Sequence, residues 1–208
     1  MSQVPKFPSH LFFYCDVPSS EGGETPLCLS NVVYEQLNNE RPDYVRKLIT
    51  KGVKYTRILP EDDDSLSAIG RGWKSTFLTE DKRIAEQRCI AHGGSFEWLP
   101  NGNLKTVSKI LSPVRLDERT GKHTWFNSIV AAYFGWKDSR NDSSKAVTYG
   151  DDTPLDPEDV DRTQQVLNEN SVAFKWEKGD VVLVDNRQTL HARTTFVPPR
   201  RILAALFE

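Results

Sequence analysis

The segment KGDVVLVDNRQTLHARTTFVPPRRILAAL, Lys178 to Leu206, holds the densest set of residues that could do chemistry. Gly179-Asp180 makes a turn, Val181–Val184 reads as a buried strand ended by Asp185-Asn186, and His191 follows on a short strand. Pro198-Pro199 then turns the chain into Arg200-Arg201 and a last apolar strand. A neutral imidazole at such a place can bind a divalent metal that keeps open coordination positions beside it. A planar guanidinium can take a carboxylate through two parallel hydrogen bonds, which an ammonium cannot. Each residue also has a plainer reading: a lone histidine after a strand is usually structural, and an arginine pair near a C-terminus is usually a solvated face. Two other segments carry polar groups beside turns, Gly22-Gly23-Glu24-Thr25-Pro26 and Arg119-Thr120-Gly121-Lys122 leading to Trp125-Phe126-Asn127. By themselves they read as an ordinary Gly-Gly turn entering a strand and a turn leading to a strand.

The elements that must position these residues are strands at both ends of the chain and helices between them. Compact apolar runs predict strands over His10–Cys15, Thr25–Leu29, Val53–Leu59, Phe96–Trp98, Lys105–Leu111, His123–Asn127, Val172–Trp176, Asp180–Asp185 and Arg201–Phe207. Ser30 is read as the N-cap of a helix through Leu37, and Pro42–Thr50 as a helix ended by Gly52. Thr79 is read as the cap of a helix stopped by Gly93-Gly94, and Asp156-Pro157 as the start of one running to about Asn170. Glu61–Ser75, with Asp62-Asp63-Asp64, reads as a polar loop with no further ligands at calcium-loop spacing. Strands and helices do not alternate strictly, which argues against a parallel Rossmann sheet. The expected fold is mainly β with helical insertions, a jelly roll or double-stranded β-helix, in a single domain over residues 1–208.

A formal charge of −2 and a pI near 6.1 leave no basic surface for nucleic acid or a membrane. No apolar run approaches the roughly 20 residues that cross a bilayer, and Met1–Pro8 with its single lysine and two prolines is no secretory signal. Cys15, Cys28 and Cys89 are odd in number and form no CxxC pair, which predicts buried free thiols in a reducing compartment. A cytoplasmic location is the default reading, although an organelle address ahead of Met1 would not show. Oligomeric state has no signal in the sequence.

The order strand, Asp-Asn, His191, Pro-Pro and Arg-Arg resembles the distal half of the metal site in the taurine-dioxygenase (TauD/TfdA) family. The stretches Pro8–Phe13, Gly70–Ser75 and Trp125–Ser128 look most like its plant clavaminate-synthase-like members. The resemblance implies an iron(II)- and 2-oxoglutarate-dependent dioxygenase that uses O2 on a small organic substrate. It makes His191 the distal metal ligand and gives the far carboxylate of 2-oxoglutarate to Arg201 and the Thr25 hydroxyl. It puts Asn127 in the active-site wall, where a structural role is an equal alternative. Two departures stand out. The family's His-x-Asp or His-x-Glu, which supplies the other two ligands, occurs nowhere in the sequence, and His10, His92 and His123 are poor substitutes. The chain therefore looks like the C-terminal two-thirds of such an enzyme, without the first strands of the jelly roll, and is expected to be inactive alone. The alternative is a non-catalytic relative that binds a ligand or partner. The position that holds a sulfonate-binding arginine in taurine dioxygenases is Ala205, so a sulfonate substrate held that way is not expected.

Overall fold

The computed structural model describes residues 7–67 and 69–207. Its architecture is sheet-rich with helical insertions, as expected, and every strand pairing is antiparallel. In chain order the strands are β1 (His10–Val17), β2 (Leu27–Leu29), β3 (Val53–Leu59), β4 (Ser95–Trp98), β5 (Leu104–Val107), β6 (Val114–Asp117), β7 (Lys122–Trp125), β8 (Val147–Tyr149), β9 (Ser171–Val172), β10 (Val181–Asp185), β11 (Thr189–His191) and β12 (Arg201–Phe207). The helices are α1 (Ser30–Glu40), α2 (Pro42–Lys51), α3 (Trp73–Phe77), α4 (Lys82–Ala91), α5 (Ile129–Gly135) and α6 (Pro157–Glu169).

Three sheets and a hairpin result: β10-β1-β12, β11-β2-β9, β4-β5-β3-β8, and β6-β7. β1 lies between strands from the far end of the sequence, with Phe13 opposite both Val182 and Ala204. Side chains alternate across a strand and paired residues share a face. Leu11 and Cys15 are therefore buried with Val184 on one face, while Phe12, Tyr14, Val181, Leu183, Leu203 and Phe207 lie exposed on the other.

The larger core forms where α1, α2, α5 and α6 pack their apolar stripes together with Trp125 of β7: Val33, Leu37, Val45, Leu48, Ile129 and Val160 are fully buried there. A second cluster, Leu59, Trp73, Phe77, Ala85, Cys89 and Leu104, fills the space between α3, α4 and the β3–β5 pair. The three cysteines are free and buried, and burial pushes each thiol pKa up.

Several local expectations change. Ser30 does not cap α1; Leu29 occupies that position, and the Ser30 hydroxyl and N–H both donate to Gln188 O at 2.8 Å. Asp81, not Thr79, caps α4: its carboxylate accepts from Arg83 N, while the Thr79 hydroxyl, two residues earlier, accepts from Asp81 N. The Glu61–Ser75 stretch contains α3, and its aspartates are engaged: Asp62 with Lys74, Asp63 with Gly72 N, Asp64 with Arg140. Of the predicted Val172–Trp176 strand only Val172 pairs, in a two-residue strand with Ser171. Lys105–Leu111 stops as a strand at Val107, with Leu111 bridging to Val53 alone. Asp156 caps α6 through Glu158 N, with Pro157 at its first position, as read from the sequence.

Candidate functional site

His191 ends β11 and faces a cavity of about 440 Å³. Its place is set by a turn pinned on several sides. The Asn186 amide donates to Pro8 O at 2.7 Å, Asp185 accepts from Arg187 N and pairs with Arg119, and Gln188 O receives both bonds from Ser30. Gln188 also reaches Asp117 and Thr120 through its amide. β11 then runs into register with β2, His191 opposite Leu27, and the imidazole packs against the Phe13 ring of β1 at 5.5 Å between centroids. Half burial lowers the imidazole pKa below its ordinary 6.5, because a charged ring loses hydration there. The ring is thus neutral near pH 7, the form that can donate a lone pair to a metal.

Cys28, Trp125, Ile129, Leu167 and Leu190 give the cavity wall its apolar part, and Asn127, Ser128, Gln164, Asn168 and Ser171 join His191 as its polar groups. Such a wall with a few polar groups suits a small organic molecule. A smaller recess of about 80 Å³ holds His191, Asn127, Asn186 and Thr189 together.

The structure brings His191 and Asn127 to one cavity. The amide of Asn127 is already used on both sides, donating to Pro113 O at 3.0 Å and accepting from Ile129 N at 3.1 Å to start α5. Thr25 is 5% exposed and next to Pro26, which lines the cavity; its hydroxyl oxygen accepts from Trp176 Nε1 at 3.0 Å in a buried bond. That leaves the hydroxyl proton to be donated elsewhere. Arg201 is not brought to His191. Its neighbour Ile202 shares the inner sheet face with Cys15 and Phe13, so Arg201 points outward, where it pairs with Asp16 and its side chain is 67% exposed. Arg200, which the sequence reading passed over, turns toward the Gly-Gly turn instead: its Nε donates to Gly23 O at 2.9 Å and its guanidinium lies 5.6 Å from the Phe196 ring. Gly23 (φ +79°) permits this approach, since a Cβ there would sit 2.8 Å from the Arg200 side chain.

Among the described residues, no group of three His, Cys, Asp or Glu side chains is placed to hold a metal ion. His10 bonds Ser9 Oγ and His123 stacks on Tyr34. A 2-His-1-carboxylate iron site asks for two ligands beyond His191, so this donor set does not fit iron(II) by itself. Sequence reasoning also missed α5 and the cavity face of α6, which supply Ile129, Gln164 and Asn168; the run IVAAYFG is too short to show a helical period.

The sequence matches the family described as taurine catabolism dioxygenase TauD, TfdA family over residues 1–206. It is 51% identical over 206 residues to a clavaminate synthase-like protein of Arabidopsis thaliana, covering 99% of this chain and 62% of that protein. It is 26% identical over 216 residues to the dapdiamide synthesis protein DdaC of Enterobacter agglomerans, covering 97% of this chain and 61% of that protein. The chain thus spans about three-fifths of the length of these relatives. Its fold is similar to that of an asparagine oxygenase solved with Fe(II), 2S,3S-3-hydroxyasparagine and succinate, at 13% identity and a TM-score of 0.54, covering 99% of this chain and 47% of that one. No helix among the described residues is long and apolar enough to cross a membrane.

Proposed function

The chain belongs to the TauD/TfdA dioxygenase family, and on that footing we propose that it is the portion of an iron(II)- and 2-oxoglutarate-dependent dioxygenase that carries one metal-binding imidazole and most of the substrate cavity. The observation that carries this reading is His191, neutral by burial, at the edge of an apolar cavity of about 440 Å³. In this reading the sheets β10-β1-β12 and β11-β2-β9 are the two halves of a jelly roll with the metal position between them. Iron supplies the oxidation chemistry when bound; this chain's residues supply orientation. Trp176 holds the Thr25 hydroxyl by its oxygen and leaves its proton for a co-substrate carboxylate. Arg201 reaches the same carboxylate only by leaving Asp16 and the β12 register that turns it outward. The substrate is a small, largely apolar organic molecule, and Ala205 in place of a further arginine argues against a sulfonate.

With His191 as its single metal-binding imidazole, the chain alone forms no succinate from 2-oxoglutarate above an iron-only control. Adding the part of the Arabidopsis relative that this chain does not cover restores decarboxylation, and His191→Ala in that fusion abolishes it. A fusion that stays active with His191→Ala would sink the assignment. Turnover by the unfused chain would overturn the argument from the donor set.

A further inference from the structure

The second hydrophobic cluster borders a separate cavity of about 200 Å³ that shares no lining residue with the cavity of His191. It lies on the face of β3 and β5 where Arg57 sits opposite Thr106, and it is closed by Phe77 of α3, by Cys89 and His92 at the end of α4, and by Trp136 after α5. Arg57 is the one permanent cation in that wall. It is half-buried, and no carboxylate among the described residues lies within ion-pair distance of it. Asp138, the acid that favours its charge, is taken by Arg140 at 2.6 Å and also binds Ser67 and Asn141. One Nη of Arg57 donates to Ile69 O, the Nε has no partner, and the guanidinium carbon stands 5.7 Å from the Trp136 ring. Burial lowers the Arg57 pKa, and the neighbouring Arg71 and Arg140 add to that. A half-buried charge without a direct counter-ion is costly, and an anion entering the cavity offsets that cost.

We propose that this cavity binds a small aromatic monocarboxylate, its carboxylate on Arg57 and its ring between Phe77 and Trp136. A planar guanidinium matches a carboxylate through two parallel bonds. The aromatic and aliphatic walls, Tyr55, Leu59, Phe77 and Trp136, match a ring. A volume near 200 Å³ suits a ligand smaller than the usual drug-sized occupant. The hydroxyl of Thr106 is already spent on Arg57 O and that of Ser108 on Lys109 O, which leaves Thr76 and His92 as the polar side chains beside the guanidinium.

Benzoate titrated into the full chain by calorimetry tests this. The expected result is saturable 1:1 binding, at least tenfold weaker for benzyl alcohol, which keeps the ring and lacks the charge, and lost in Arg57→Met. No saturable binding of benzoate overturns the proposal. So does equal binding of benzyl alcohol, or benzoate binding retained in Arg57→Met. Should Arg57→Met fail to fold, the benzoate and benzyl alcohol comparison on the unchanged chain still decides.

Discussion

Thr25 and Trp176 share a hydrogen bond that can be taken apart one atom at a time. Valine has nearly the shape of threonine, so Thr25→Val exchanges the hydroxyl for a methyl and leaves the Trp176 N–H without its acceptor. Both residues are closed to water, at 5% and 4% exposure, so no solvent replaces the lost partner. An orphaned buried donor costs about 1–3 kcal/mol, and the added methyl returns up to about 0.8 kcal/mol, for a net loss of about 1–2 kcal/mol. Trp176→Phe removes the donor and leaves a void, at a cost of about 2 kcal/mol. In the double variant no orphan remains, so its loss falls short of the sum of the single ones by about 1–2 kcal/mol. Urea unfolding followed by tryptophan fluorescence measures all three against the unchanged chain. With a slope of about 2–3 kcal/mol per molar urea, Thr25→Val lowers the midpoint by about 0.5 M. A midpoint shift below about 0.1 M, or additive losses in the double variant, would show that Thr25 is not held by the indole, and the argument that its proton alone is left for a ligand would fall.

Asn141→Ala removes the side chain that accepts from Ile58 N at 2.7 Å and donates to Ile58 O at 3.1 Å, a stand-in for a missing strand beside β3. Two orphaned backbone groups cost about 2–4 kcal/mol, read as a fall in thermal midpoint; a loss below about 1 kcal/mol would contradict the assignment. Arg162, by hydrogen bonds from its guanidinium and with help from Gln36, pulls the Glu40 pKa down from 4.5 to about 2, tying α1 to α6. A depressed carboxylate pKa gives stability that is whole above 4.5 and fades as pH falls toward 2, so the decline in urea midpoint over that window is shallower in Arg162→Met than in the unchanged chain. Equal slopes would refute the link.

The stretch that carries the candidate site was legible as strand, turn and strand because these elements are local. The β10 strand, the Asp-Asn turn and His191 follow one another within a few residues, and turn chemistry fixes their order in space. The α6 start was equally plain, since Asp156 and Pro157 act on the very next backbone groups. What escaped depends on distant partners. Whether Arg201 or Arg200 turns inward is decided by the register of β12 on β1, with its irregularity between Cys15 and Val17, and no local pattern encodes that register. Ser30 has the composition of a cap but spends its hydroxyl on Gln188, 158 residues away. α5 is too short to announce itself, yet Ile129 and Ala132 are fully buried, so tertiary packing makes the helix.

The outer face of β10-β1-β12 bears on every solution measurement. Phe12, Tyr14, Val181, Leu183, Leu203 and Phe207 form an apolar sheet face, with Leu183 57% and Phe207 50% exposed, and β10 and β12 have no further strand neighbour among the described residues. A surface of this kind is a template for adhesion as well as a source of hydration cost. Any contact that covers it binds the folded chain and not the unfolded one, and so draws the equilibrium toward folding as the chain grows more crowded with its own kind. A single unfolding midpoint then describes a sample, not a molecule. A dilution series, extended until the midpoint stops moving, is what returns the stability of the isolated chain.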